Sequence, residues 1–253
     1  MAQAKKNGEI SMTYRFTQEK QDYSDLATGR VLYSVPGRVA FPVRLASELF
    51  QRCLSLYQQR GGTTPCVLYD PCCGGASLLV SVGFLHGSKL SAVIGSDADP
   101  DVLPLAEKNL ALLTPQGLEQ RIAQLQTLYQ EYGKPSHAEA LESAYRLQRQ
   151  LMPLTIGLFQ ADVMRPLDPT RFPKSVDLVM VDLPYGQHTG WLHASAAQDP
   201  ATALLDSLRS ILSPAAVVAL ITTKQHKVVH EQFRRLEQFS IGKRRILLCA
   251  SET

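Results

Sequence analysis

Four acidic residues, each at or just after the end of an apolar run, are the positions best suited to chemistry in this sequence. They are Asp70, Asp97, Asp162 and Asp182. Apolar runs of this kind are typical of buried parallel strands, whose carboxyl ends meet at one edge of a sheet, where open α/β folds bind ligands. We therefore expect the four carboxylates to converge. Each also has a simpler interpretation, as a polar residue that ends a strand.

The first acid opens the turn Asp70-Pro-Cys-Cys-Gly74-Gly75, between an apolar strand and an apolar helix. Glycines let a ligand approach the backbone closely, because no Cβ stands in the way. Asp70, Gly74 and Gly75, with Cys72 as a small residue of a crowded turn, are therefore candidate cofactor-binding residues. The alternative is a tight structural turn that happens to be rich in glycine.

The next two acids suggest the two ends of a nucleoside. Asp97, in VIGSDADP, is placed to accept hydrogen bonds from both ribose hydroxyls, and we expect Asp99 to cap the helix that follows. Asp162 is placed to accept a hydrogen bond from an adenine amino group, and the backbone N–H of Val163 to donate one to a ring nitrogen. Taken alone, Asp162 is better explained as a turn residue at the end of a strand.

The last acid belongs to Asp182-Leu183-Pro184-Tyr185, which we expect to be catalytic, with Asp182 also close to the cofactor. Proline ends the strand and exposes the Leu183 carbonyl, and Tyr185 supplies a ring face. A flipped nucleobase needs hydrogen-bond acceptors for its N–H groups and an aromatic surface to stack on. The alternative is a structural turn with a packing tyrosine.

Composition places few limits beyond these motifs. The chain has 253 residues, 45% of them hydrophobic, and a net charge of +3, which suits one large α/β domain or a domain with an insertion. No apolar stretch approaches the roughly 20 residues of a membrane span, and the first residues lack the apolar region of a secretory signal. The five cysteines include no CxxC pair, so we expect neither disulfides nor a metal site, and a cytoplasmic protein.

Basic residues are concentrated near the carboxyl terminus, where seven lysines and arginines stand against two glutamates between positions 224 and 245. Such a patch suits a polyanion such as RNA. The candidate phosphate contacts are Lys224, Lys227, Lys243, Arg244 and Arg245. The alternative is a set of solvated helix and hairpin faces.

Hydrophobic periodicity predicts the elements that hold these residues. The expected helices span about 38–60, 76–85, 101–113, 200–212 and 228–237. The expected strands span 66–70, 91–97, 155–162, 176–182 and 216–223, with two more on either side of a Gly-Lys turn near the end. This alternation predicts a Rossmann-like, doubly wound and mostly parallel sheet of seven strands. Residues 114–152 interrupt it as a helical insertion, with helices near 117–132 and 136–151. We divide the chain into a tail and helical segment, 1–62, and a main domain, 63–253.

The four strand-end motifs together resemble class I S-adenosylmethionine-dependent methyltransferases whose D/N-x-P-Y motif targets a base nitrogen. Longer stretches are similar to the AviRa family of avilamycin-resistance methyltransferases of large-subunit ribosomal RNA. These are LYSVPGRVAFPVRLASELFQR at 32–52, AEKNLALLTPQGL at 106–118 and YGKPSHAEA at 132–140. The resemblance runs from about residue 12 to 250 and includes the helical insertion, which generic methyltransferases lack.

The resemblance implies S-adenosylmethionine as cofactor, ribosomal RNA as partner and methylation of a guanine at N1 in 23S rRNA, with resistance to avilamycin-type antibiotics. Leu183 stands where many relatives have proline, and Ala76 where many have a third glycine. Relatives with D-P-P-Y commonly methylate exocyclic amines, so adenine N6 and guanine N2 of RNA or DNA stay open as targets, as does a non-catalytic RNA-binding module.

Three weaker candidates complete the set. Arg44, in AFPVRLA, is placed to reach the cofactor's carboxylate, or is a surface residue of its helix. His188 and Trp191 follow the catalytic tetrapeptide and are candidates for RNA contact, with packing of a lid as the alternative for Trp191. We expect a monomer.

Overall fold

The structure, a computed structural model, describes residues 14–19, 21–183, 199–223, 225 and 227–252. This part of the chain forms seven strands and six α-helices. The strands are β1 Cys66–Asp70, β2 Leu90–Asp97, β3 Thr155–Gln160, β4 Val176–Asp182, β5 Leu212–Thr223, β6 Phe233–Ile241 and β7 Arg244–Ser251. The helices are α1 Val43–Gln59, α2 Ser77–His86, α3 Leu103–Ala111, α4 Pro115–Tyr132, α5 Pro135–Gln148 and α6 Pro200–Leu208.

The seven strands form a single sheet in the order β3-β2-β1-β4-β5-β7-β6. Strands β1 to β5 pair in parallel, and β7 pairs antiparallel with both β5 and β6. The strand order reverses between β1 and β4, which is the point where open α/β sheets leave a crevice for a ligand. The predicted doubly wound, mostly parallel sheet is thereby confirmed.

The predicted helical insertion is α4 and α5, which pack against each other. Their first residues, Pro115 and Pro135, lie one or two positions earlier than predicted, because proline is favoured at the first position of a helix, where its missing N–H costs nothing. The Thr114 side chain caps α4 by accepting a hydrogen bond from Gly117 N at 3.1 Å. The insertion thus has a well-defined start directly after α3.

The prediction of a helix over 228–237 is wrong. Residues 227–232 form no helix, and 233–241 form β6, which pairs with β7 over its whole length. The segment contains good helix formers, but pairing with β7 buries Phe233 and Phe239 and overrides that preference. A register shift between Arg235 and Glu237 breaks the alternation that would have marked a strand. For a similar reason α6 ends four residues early, since β5 begins at Leu212.

The predicted boundary at residue 62 does not coincide with a break in the hydrophobic core. Leu45 and Leu49 of α1 are buried in the same cluster as Leu178 of β4 and Ala219 of β5. Helix α1 packs directly on β4 and β5. The division of the chain into two parts stays a prediction, but α1 is one of the helices that cover the sheet.

A buried glutamate on α1 ties residues before the helix to the rest of the fold. The Glu48 carboxylate accepts hydrogen bonds from three consecutive backbone N–H groups, of residues 15–17, at 2.7 to 2.9 Å. It also accepts one from Arg52 Nε at 2.6 Å, and Arg52 in turn pairs with Glu237 of β6. Burial alone would raise the pKa of Glu48, but these donors outweigh it and hold the pKa below its usual value.

Candidate active site

Three of the strand-end acids lie at adjacent positions of the sheet. Asp97, Asp70 and Asp182 end β2, β1 and β4, which are neighbours in that order. Burial raises the pKa of the Asp70 carboxyl well above its usual value, and the charges of Asp97 and Asp182 raise it further. Asp97 and Asp182 affect the pKa of Asp70 because the three side chains lie close together, as the sequence led us to expect. The site therefore brings three carboxyl groups together at the switch point of the sheet.

The glycine turn after β1 closes over this cluster. Cys72 N donates to Asp70 Oδ1 at 3.1 Å, and Gly74 N donates to Asp97 Oδ2 at 2.9 Å. Gly74 has a φ of +52°, a conformation that favours glycine. At Gly75 a Cβ would lie 2.9 Å from the Leu105 side chain, so this glycine lets α3 approach the turn.

Cys72 lies among the acids. Burial raises the pKa of its thiol well above the usual value, and the charges of Asp70, Asp97 and Asp162 add to that effect. The thiol is therefore protonated and un-ionised at neutral pH, which suits a small residue in a crowded turn better than a nucleophile. These charges also place Asp162 in the same electrostatic environment as Asp70 and Asp97.

Asp97, the last residue of β2, and Asp99, two residues later, have different hydrogen-bond partners. Asp97 accepts from Gly74 N with one carboxylate oxygen and from Asp99 N, at 3.0 Å, with the other. The expectation that Asp99 caps α3 is wrong, because the residue before that helix is Val102, whose side chain makes no capping bond. Asp99 instead accepts from Asp101 N at 3.0 Å and pairs with Arg38 at 3.2 Å.

Beyond β3 the chain forms an open cleft. The strand ends at Gln160, two residues earlier than predicted, and Asp162 accepts from Met164 N at 3.0 Å. Val163 has a buried side chain. A cavity of about 560 Å³ opens beside Asp162, within the range of small-molecule sites. Its walls include Phe159, Ala161, Asp162, Arg165, Leu167 and Arg171.

At the end of β4, Asp182 is partly exposed and faces a cation. Arg244 Nη2 lies 3.8 Å from Asp182 Oδ2. Leu183 continues the pairing of β4 for one residue, because its N–H donates to Ile221 O at 3.0 Å, and its side chain is buried. Pro184 and Tyr185 lie outside the described residues. So do His188 and Trp191.

Arg44 is engaged at a different place from the one expected. Its Nη2 donates to the carbonyls of Thr17, at 2.6 Å, and Gln18, at 3.1 Å. Its guanidinium lies 3.9 Å from the centre of the Tyr14 ring. Arg44 thus binds carbonyl groups of the same segment, residues 15–18, in which the N–H groups of residues 15–17 donate to Glu48. Whether it also reaches a cofactor stays a prediction.

The four candidate phosphate contacts that the structure describes do not all lie on one face of the sheet. Lys227 and Lys243 are exposed, and Lys224 lies outside the described residues. Arg244 and Arg245 are consecutive residues of β7, so their side chains project to opposite faces of the sheet. Since β7 runs against β5, its first residues lie at the edge where the parallel strands end.

Two site residues were not singled out from the sequence, Arg38 and Phe41. Both belong to the segment before α1, where Phe41 N donates to Ser77 Oγ of α2 at 2.9 Å. The Phe41 ring lies 5.5 Å from the Arg244 guanidinium, and Arg38 pairs with Asp99. Only the tertiary structure reveals these two residues, because no local sequence pattern predicts that this segment lies beside the glycine turn.

The described residues hold neither a candidate metal site nor a membrane-spanning helix. They contain no group of three or more histidine, cysteine, aspartate or glutamate side chains arranged to hold a metal ion. Among the helices described, none is long and apolar enough to cross a membrane.

Comparison with known proteins gives consistent matches over nearly the whole chain. The family model described as rRNA methyltransferase AviRa matches residues 12–244. The 23S rRNA (guanine(2535)-N(1))-methyltransferase of Streptomyces viridochromogenes is 43% identical over 241 residues, which are 93% of this chain and 94% of that protein. Two solved structures of rRNA methyltransferase AviRa from the same organism, with 42% and 41% identity, give TM-scores of 0.82 and cover 94% of this chain and 96% of theirs. The chain belongs to the AviRa family of rRNA methyltransferases and has their Rossmann-like methyltransferase fold.

Proposed function

We propose that this protein transfers a methyl group from S-adenosylmethionine to N1 of a guanine in 23S rRNA, and so protects the ribosome from avilamycin-type antibiotics. The observation that carries the proposal is the 43% identity, over 93% of the chain, to a relative named for that reaction. We further propose that the enzyme acts in the cytoplasm, as a monomer.

The residues at the switch point fit the proposed cofactor. Asp97, at the end of β2, would accept hydrogen bonds from the ribose hydroxyls, and the 560 Å³ cleft beside Asp162 has room for a purine. The cofactor carries a sulfonium cation, and the carboxylates of Asp97 and Asp182, at the ends of β2 and β4, would attract it. When bound, it supplies an already activated methyl group.

The chain's own task is then to position and deprotonate the base. Asp182 would accept the N1 proton, and the Leu183 carbonyl would accept a hydrogen bond from the base. Tyr185 would stack on the ring, a contact worth about 1–3 kcal/mol. Holding the base nitrogen in line with the methyl group provides most of the acceleration, because proximity and orientation replace a bimolecular encounter.

Methyl transfer from labelled S-adenosylmethionine to a 23S rRNA fragment, followed by analysis of the digested nucleosides, tests the proposal. We expect 1-methylguanosine as the product. N6-methyladenosine or N2-methylguanosine would instead identify one of the other base nitrogens as the target. Cofactor-independent RNA binding without methyl transfer would indicate a non-catalytic module.

A further inference from the structure

We infer that Arg244 is a guanine-recognition residue, whose guanidinium binds O6 of the target base and stabilises the charge that forms there when N1 loses its proton. This inference rests on the proposed function, since it assigns a role toward the same target base. It also gives Arg244 a role different from the phosphate contact expected from the sequence.

The fold brings Arg244 to the catalytic edge of the sheet. Asp182 pairs with Ile221 of β5, and Ile221 pairs with Ile246 of β7, two residues after Arg244. The Arg244 and Asp182 side chains are each 30% exposed, with Nη2 and Oδ2 separated by 3.8 Å. A base that contacts Asp182 must therefore lie within reach of the arginine.

Arg244 also has an N–H donor that no described residue accepts. Its Nε is buried, and among the described residues no group accepts a hydrogen bond from it. The separation of 3.8 Å from Asp182 is an ion pair rather than a hydrogen bond. The Phe41 ring, 5.5 Å from the guanidinium, supports the cation without using its N–H donors. Arg244 therefore has donors available for an acceptor on a ligand.

The charges of this pair match guanine and not adenine. Guanine presents an acceptor, O6, beside a donor, N1–H, which complements an arginine beside a carboxylate. Adenine presents an amino group where guanine has O6, and an unprotonated N1. Adenine would thus place donor against donor at Arg244 and acceptor against acceptor at Asp182. Polar groups left unpaired in a site reject the wrong substrate strongly.

The same contact assists the reaction. The N1–H proton passes to Asp182 while the bond from N1 to the methyl carbon forms. The bond from that carbon to sulfur breaks and leaves its electron pair on sulfur, so the cofactor product is a neutral thioether. Loss of the N1 proton spreads negative charge onto O6, where Arg244 lies. A fixed cation at the position where charge develops is an effective form of catalysis.

The test compares Arg244→Gln with wild type and with Arg234→Gln, a control that removes an equal charge from an exposed position of the same hairpin. Single-turnover methyl transfer is measured on a guanine-containing rRNA fragment across the neutral and alkaline pH range. We expect the rate of Arg244→Gln at neutral pH to fall by about tenfold to a hundredfold, the range for a charge-assisted hydrogen bond. The deficit should narrow at alkaline pH, where guanine N1 ionises unaided. Arg234→Gln should keep the wild-type profile.

A second arm changes the substrate, so its first measurement, on the wild-type protein, does not depend on the folding of a variant. The fragment carries 6-thioguanosine at the target position, whose sulfur is a weaker acceptor than O6. We expect the rate of wild type to respond to this change and that of Arg244→Gln to respond much less, because only wild type has the contact to lose. The rate of Arg244→Lys, which keeps the charge but not the planar guanidinium, should lie between the rates of wild type and Arg244→Gln.

The possible failures are distinguishable. If wild type does not methylate the guanine fragment at all, the proposed function is wrong. If wild type methylates guanine N1 but Arg244→Gln keeps its rate and pH profile, only the role of Arg244 is wrong. A weaker salt dependence of RNA binding with an unchanged pH profile would identify Arg244 as a phosphate contact and also overturn the inference.

Discussion

Replacing Glu48 with glutamine should destabilise the protein far more than the same replacement at an exposed ion pair. The Glu48 side chain is fully buried and accepts hydrogen bonds from the N–H groups of residues 15–17 and from Arg52. Glutamine offers one acceptor oxygen and turns an amino group toward donors. It also leaves Arg52, itself 1% exposed, with less compensation for its charge.

The expected loss is about 3–5 kcal/mol in the free energy of unfolding, the usual cost of breaking a buried ion pair. The matched control is Glu139→Gln, because Glu139 pairs with Arg30 but its side chain is 59% exposed. That change should cost at most about 1 kcal/mol. Urea unfolding of both variants measures the difference. A loss below about 1 kcal/mol for Glu48→Gln would refute the importance assigned to the buried carboxylate.

The same carboxylate predicts how stability depends on pH. Since the folded protein holds the pKa of Glu48 below its usual value, its contribution is fully present above about pH 4.3, the pKa of an unperturbed glutamate. It is lost as the pH falls through the folded pKa, because the unfolded state takes up the proton first. The stability difference between wild type and Glu48→Gln should therefore shrink as the solution is acidified below that value. A constant difference would contradict the assignment.

Three further predictions concern the proposed site. Asp97→Ala should weaken binding of S-adenosylmethionine about tenfold to a hundredfold, measured by calorimetry, because a charged acceptor worth about 1.5–3 kcal/mol is lost; unchanged affinity would exclude Asp97. If Lys227 and Lys243 contact phosphates, the double variant Lys227→Gln, Lys243→Gln should show a weaker salt dependence of RNA binding. The log of the affinity should change less steeply, by about 0.7 to 0.9 log units per contact for each log unit of salt. An unchanged slope would mean that both side chains are only solvated. Tyr185→Phe should keep most single-turnover activity and Tyr185→Ala little, with equal cofactor binding; wild-type activity of the alanine variant would make Tyr185 a packing residue.

The parallel part of the sheet could be predicted from sequence because its strands are apolar runs, three of which end in an acid. Strand β4 was located to the residue, and the glycine turn and Asp97 followed from the same pattern. Local pattern carries this information because a strand buried on both faces needs apolar residues throughout. The position of Asp182 at the end of β4 was predicted in the same way.

The remaining features depend on contacts between residues far apart in sequence. Strand β6 was mistaken for a helix because its irregular register hides the alternation, and its partner β7 decides its structure. The bonds of Arg44 to Thr17 and Gln18 and the pairing of Arg244 with Asp182 each join different segments of the chain. No spacing rule within one segment reveals such pairs.

The most direct test of the account is mass mapping of methylated nucleotides in 23S rRNA from cells that express the wild-type gene, the Asp182→Asn variant or no copy. The account predicts one added 1-methylguanosine in the wild-type sample alone, together with growth on avilamycin. A methyl group on adenine, or 1-methylguanosine at the same level in the Asp182→Asn sample, would contradict it.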